Sequence, residues 1–157
     1  MLYNLRMLIH LGREIMQQTI KPILETKDLE QCFNVIQELR PHLNDCNKFV
    51  TQIMRQQKEG YQMFACVVNS DIVGCIGYRQ LETLAWGKIL YIDDLITRST
   101  HRGNGYAKTL LAHAIDYAKS INCDQVHLDT GYTRYDAHKL YLKNRFQLSS
   151  HHMALTL

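Results

Sequence analysis

Arg102-Gly103-Asn104-Gly105-Tyr106-Ala107-Lys108 places two glycines and two cationic side chains where a β-like run gives way to an amphipathic helix. The chemistry open to such a junction is anion binding. The first turn of a helix leaves backbone N–H groups without intrahelical acceptors, and the aligned peptide dipoles add partial positive charge there. Glycine lets that backbone approach a ligand closely, so the segment predicts a site for a phosphate-bearing ligand.

The flanking elements must hold that loop. Residues 88–97 are rich in aliphatic and β-branched side chains and read as a strand. Leu110, Leu111, Ala114, Ile115 and Ala118 recur at helical spacing and predict a helix over 103–120 with one buried face. Upstream, residues 19–24 read as a short strand that Pro22 confines to an edge. Leu29, Phe33, Ile36 and Leu39 predict a helix over 26–39, ended by Pro41. A second helix is expected over 44–59, with Phe49 and Ile53 as anchors and Gly60 closing it. Residues 61–68 and 72–79 form a hairpin around Asn69-Ser70-Asp71. Downstream, 125–130 is a strand, parallel to 88–97 under the crossover rule, 137–143 is helical, and 151–157 reads as a final strand. The order β-α-α-β-β-β-α-β-α-β predicts an α+β fold with a mixed, mostly antiparallel central sheet.

Composition narrows the class. A chain of 157 residues with 46% apolar and 21% charged content suits one globular domain. A net charge of +3, with no basic run interleaved with aromatics, argues against nucleic acid as a partner. Cys32, Cys46, Cys66, Cys75 and Cys123 are odd in number and scattered, which suits reduced thiols in a cytoplasmic protein and small core residues rather than disulfides or zinc. No apolar run approaches the ~20 residues that span a bilayer, so no membrane partner is expected. The first 18 residues have a faint signal-peptide character, but Arg6, His10 and Arg13 interrupt it and no small-x-small cleavage site follows. Residues 1–15 therefore read as an N-terminal extension and 16–157 as the domain, with Met16 a second candidate start. His151-His152 would point to opposite faces of a strand, one to the core and one to solvent, which disfavours metal ligation.

Several ligands could use the glycine loop. A nucleotide triphosphatase wants Gly directly before Lys-Ser/Thr, and here Ala107 precedes Lys108-Thr109. A dinucleotide site wants a third tiny residue where Lys108 stands, and the order holds only one β-α-β unit. An ordinary strand-to-helix turn is a further reading. A third ligand class, coenzyme A, enters through a family resemblance. Arg102-x-x-Gly105-x-Ala107 resembles the R/Q-x-x-G-x-G/A signature of the GNAT N-acetyltransferases. Residues 90–97 are similar to the fourth strand of that family, and residues 137–146 resemble its late A-x-x-F/L-Y-x-x-x-G-F segment. The element order agrees from about Met16 onward. Arg145 departs from the family's glycine, which leads us to expect a different bend after the last helix.

The resemblance implies the GNAT acyl-CoA N-acyltransferase fold, with helices on both faces of the sheet. It also implies acetyl transfer from acetyl-CoA, used as a co-substrate without a metal, to the primary amine of a small molecule or peptide by direct attack. Freeing the lone pair of an amine with pKa near 10.4 costs about 4–5 kcal/mol at pH 7, and a nearby carboxylate can take that proton. Asp93 and Asp94 are the candidates, with Asp93 favoured because it matches an acidic position of the polyamine-acetylating branch; simple solvation or pairing with Arg98 is the competing role. Strand alternation would let only one of them face the acetyl group. Leu95, Ile96 and Thr97 would offer backbone groups to the pantetheine arm. Arg102, Gly103, Asn104, Gly105, Tyr106, Ala107 and Lys108 would hold the diphosphate. Tyr141 matches the family's general acid for the departing thiolate. Tyr132, Arg134, Tyr135 and His138 are candidates for the coenzyme tail or acceptor mouth, with surface packing the favoured alternative. The family also allows a homodimer. A non-catalytic CoA-binding regulatory module would keep the loop yet need neither Asp93 nor Tyr141.

Overall fold

In a computed structural model, residues 18–157 are described, so the proposed extension over 1–15 and the first two residues of the proposed domain lie outside them. The elements are β1 (Gln18–Pro22), α1 (Thr26–Leu39), α2 (Cys46–Lys58), β2 (Gln62–Val68), β3 (Asp71–Thr83), β4 (Gly87–Thr97), α3 (Tyr106–Ser120), β5 (Gln125–Leu128) and α4 (Tyr135–Lys143), with a 3-10 turn at Ser99–His101. The strands form one five-stranded sheet in the order β1-β2-β3-β4-β5. The β1–β2, β2–β3 and β3–β4 pairs are antiparallel. β5 follows β4 through the α3 crossover, the connection that a parallel neighbour requires, and the sheet is mixed. Pro22 ends β1 on the sheet edge, where its missing N–H costs no ladder bond.

Alternation along β2 and β3 sorts side chains to two faces. Met63, Ala65 and Cys75 join Leu29, Cys32, Val35, Ile36, Phe49 and Ile53 in one core under α1 and α2. On the opposite face Phe64 meets His113 of α3 at 4.4 Å, and Tyr78 stacks on Tyr117 at 5.4 Å. Helices therefore cover both faces. Cys32, Cys66 and Cys75 are buried and all five cysteines are free thiols. α2 is capped by Asp45, whose carboxylate accepts the Lys48 N–H at 3.0 Å.

The chain forms two compact units, one up to His127 and one over Leu128–Leu157. The second unit holds α4 and carries no strand over 151–157: those residues have no regular structure and are exposed. Met153, Leu155 and Leu157 are exposed, and an extended segment without a hydrogen-bonded neighbour does not make a strand. His151 and His152 are both exposed rather than divided between core and solvent, and His152 Nδ1 pairs with Asp129 Oδ2 at 3.0 Å.

Candidate active site

The β3–β4 register shifts where Gly77 pairs with Asp94 and Tyr78 pairs with Ile92. Asp93 is thus the extra residue of a β-bulge. The bulge moves the alternation of β4 by one position. Ile96 now belongs to the α1 and α2 core, and the Asp94 carboxylate meets groups on that side. Tyr61 is buried beneath it and donates its hydroxyl to Asp94 Oδ2 at 3.0 Å. Arg40, just past α1, donates Nε to Asp94 Oδ1 at 3.0 Å and Nη2 to the Asp93 carbonyl at 2.9 Å. Arg79 of β3 donates Nε to Asp93 Oδ2 at 3.0 Å, and its guanidinium lies 5.4 Å from the centre of the Tyr61 ring.

Two points of the sequence reading change here. The carboxylates pair with Arg40 and Arg79 rather than Arg98, whose N–H bonds the Val73 carbonyl at 2.8 Å. The rule that adjacent residues face apart does not carry across the bulge, and Asp93 and Asp94 belong to one network. Gly77 makes room for it: a Cβ there would sit 1.7 Å from the Tyr61 hydroxyl. Burial raises the Asp93 carboxyl above the usual aspartate range, with the Arg79 hydrogen bond opposing it. Burial, then Asp94, pushes the Tyr61 hydroxyl well above its usual range, so it stays protonated and remains a donor. Arg40, Tyr61 and Arg79 escaped the sequence reading. They lie far from Asp93 in sequence, and only the pairing of β3 with β4 and the seating of α1 bring them together.

Beyond Thr97 the chain makes the 3-10 turn and then the glycine bend. Gly103 and Gly105 take φ values of +79° and +83°, and a Cβ on either would meet open space. Gly105 is the N-cap of α3, which begins at Tyr106 rather than Gly103, and no side chain caps the helix. The N–H groups of Tyr106, Ala107 and Lys108 therefore open the helix without intrahelical acceptors. The Asn104 amide donates to the His101 and Arg102 carbonyls at 3.1 and 3.3 Å, which folds the bend on itself. Arg102 and Lys108 are exposed, while Tyr106 is buried as an anchor. Leu95, Ile96 and Thr97 pair with Ile76, Cys75 and Gly74 of β3. β5 has four residues against the eleven of β4 and is too short to run beside them all.

In the second unit, Tyr141 is half-buried on α4, its ring 5.7 Å from Phe146. Burial raises its pKa, with Arg134 pulling the other way. Arg145 adopts φ +67°, a left-handed conformation that a non-glycine residue seldom takes. Tyr132 and Tyr135 are exposed, and His138 Nε2 lies 3.0 Å from the Gly131 carbonyl. Among the described residues, no helix is long and apolar enough to cross a membrane, and no three His, Cys, Asp or Glu side chains gather as metal ligands.

The chain belongs to the acetyltransferase (GNAT) family, whose model matches residues 25–146. The N-acetyltransferase YhdJ of Bacillus subtilis (strain 168), itself uncharacterized, is 31% identical over 123 residues, covering 78% of this chain and 86% of that protein. Solved structures share the fold as well. A protein described as a transcriptional regulator from Bacillus halodurans C-125 superposes with a TM-score of 0.80 at 23% identity, covering 89% of this chain and 99% of that one. The aminoglycoside N-acetyltransferase AAC(6')-Iy, in complex with CoA, gives 0.76 at 13% identity, covering 94% and 99%.

Proposed function

We propose that the protein transfers an acetyl group from acetyl-CoA to a primary amine of a small molecule or peptide by direct attack, and that residues 16–157 make up the acetyltransferase domain. Family membership supports acetyl transfer. A structural relative solved with CoA supports the carrier. The observation that carries the assignment of residues is the short run, within one unit, from the bulged carboxylates to the open glycine bend.

The diphosphate is held by the N–H groups of the bend and the first turn of α3, with Arg102 and Lys108 adding charge. The pantetheine arm runs along Leu95, Ile96 and Thr97, pairing with their main chain as an added strand would, and an N–H near Leu95 faces the thioester oxygen as negative charge develops. Asp93 takes the proton of the amine, directly or through one water. Burial raises its pKa against the opposing Arg79 hydrogen bond, which makes it a better base than an ordinary aspartate. Asp94, tied to Tyr61 and Arg40, holds the bulge in shape. Tyr141 gives its proton to the departing thiolate.

A screen of amines, polyamines, amino acids, aminoglycosides and peptides for release of free CoA thiol tests the reading, with Asp93→Asn and Asp94→Asn beside the wild type. An accepted amine and a loss of about 100-fold in turnover for Asp93→Asn are expected. Unchanged turnover and pH profile in both variants would remove the base. Binding of acetyl-CoA without thiol release from any amine would favour the regulatory module.

A further inference from the structure

The end of α1 reaches the site at two points. Arg40 grips the bulge, as described, and Glu38 reaches the loop two residues earlier. Glu38 Oε2 accepts the N–H of Ser99 at 2.7 Å and lies 3.9 Å from Arg102 Nη2. Ser99 opens the 3-10 turn, and Arg98, at the N-cap of that turn, makes no side-chain cap bond. The missing cap is supplied by a distant helix instead. Through this contact the segment between the carboxylates and the glycine bend is fastened to one helix end at both extremities.

We propose that Glu38 is a positioning residue for the diphosphate loop, fixing through the Ser99 N–H the angle at which the chain leaves β4 for the bend. The inference rests on the reading that this bend binds the coenzyme. Electrostatics alone predicts the opposite effect, because a carboxylate near Arg102 competes with phosphate for that guanidinium. The two contributions differ in sign and separate by substitution. Glu38→Gln keeps an oxygen that can accept the Ser99 N–H but removes the charge. Glu38→Asp keeps the charge but shortens the reach by one methylene. Glu38→Ala removes both. The side chain is 30% accessible and lies outside the buried core cluster, so none of these disturbs the core.

The test is calorimetric titration of the full chain and its three variants with CoA, followed by acetyl-transfer kinetics. Glu38→Ala and Glu38→Asp are expected to weaken CoA roughly fivefold, the worth of one net hydrogen bond, with Glu38→Gln within about twofold of wild type. The loss should fall on KM for acetyl-CoA and leave kcat at saturation unchanged, a split that general destabilisation does not produce. Wild-type affinity in Glu38→Ala and Glu38→Asp, or tighter binding in Glu38→Ala and Glu38→Gln, would overturn the positioning role. No heat from the wild type would refute coenzyme binding itself, a separate result.

Discussion

On the α3 face of the sheet, Phe64, Tyr78, His113 and Tyr117 stack against one another, and Tyr117 accepts the Gln62 amide at 2.8 Å through its hydroxyl. At the β4 bulge, Tyr61, Asp93 and Asp94 are as closely gathered but lie against Arg40 and Arg79. Burial acts on both groups. On the α3 face it meets little opposition: it raises the Tyr78 hydroxyl and lowers the His113 imidazole, favouring the neutral form of each. At the bulge two guanidiniums pair with two carboxylates that are only partly shielded from water. A neutral aromatic stack serves packing. A charge-balanced bulge next to an anion-binding bend offers a base with a place to act.

Substitutions can break this contrast. Gly77→Val should have the largest effect, since the new side chain collides with the Tyr61 ring and severs its bond to Asp94. A loss of about 3 kcal/mol in chemical denaturation is expected. A wild-type midpoint would show that the bulge network is not sterically fixed. Tyr141→Phe should lower turnover about tenfold with acetyl-CoA affinity unchanged, because a thiolate with conjugate-acid pKa near 8.5 already leaves well. Undiminished turnover would leave Tyr141 only its contact with Phe146.

The smallest effect concerns His113. Burial holds its folded pKa below 6.5, with Asp116 opposing, so the unfolded chain binds more protons as pH falls through 6.5. The wild type should therefore lose stability below about pH 6.5, by no more than about 1.4 kcal/mol per pH unit from this group. His113→Gln should flatten that slope. An unaltered slope in denaturation at pH 5 and pH 7 would assign the acid sensitivity elsewhere.

Much of the fold was legible because its signals are local. The apolar spacing of α1 and α3, Pro22 at an edge and the hairpin turn each follow from a few neighbouring residues. The glycine bend was legible for the same reason, since Gly103 and Gly105 adopt the positive φ that their type permits. The bulge was not, because it is a mismatch between two strands and neither strand alone reveals it. Arg40 and Arg79 were hidden with it, 53 and 14 residues from Asp93. Residues 151–157 read as a strand, but a sequence pattern cannot report whether a neighbour pairs with it. Arg145 shows the converse, a non-glycine residue carrying a left-handed bend that its type disfavours.

The central claim is that main-chain amides at the Gly103–Gly105 bend hold the diphosphate of the acetyl carrier. Calorimetric titration of acetyl-CoA into the wild type and Gly105→Val tests it most directly, because Gly105 takes φ +83°, which a β-branched residue avoids, while a Cβ there meets open space rather than a packed neighbour. Saturable binding by the wild type and none by a folded Gly105→Val is the expected result. Wild-type affinity in the variant, or no heat from the wild type at millimolar carrier, would contradict the account.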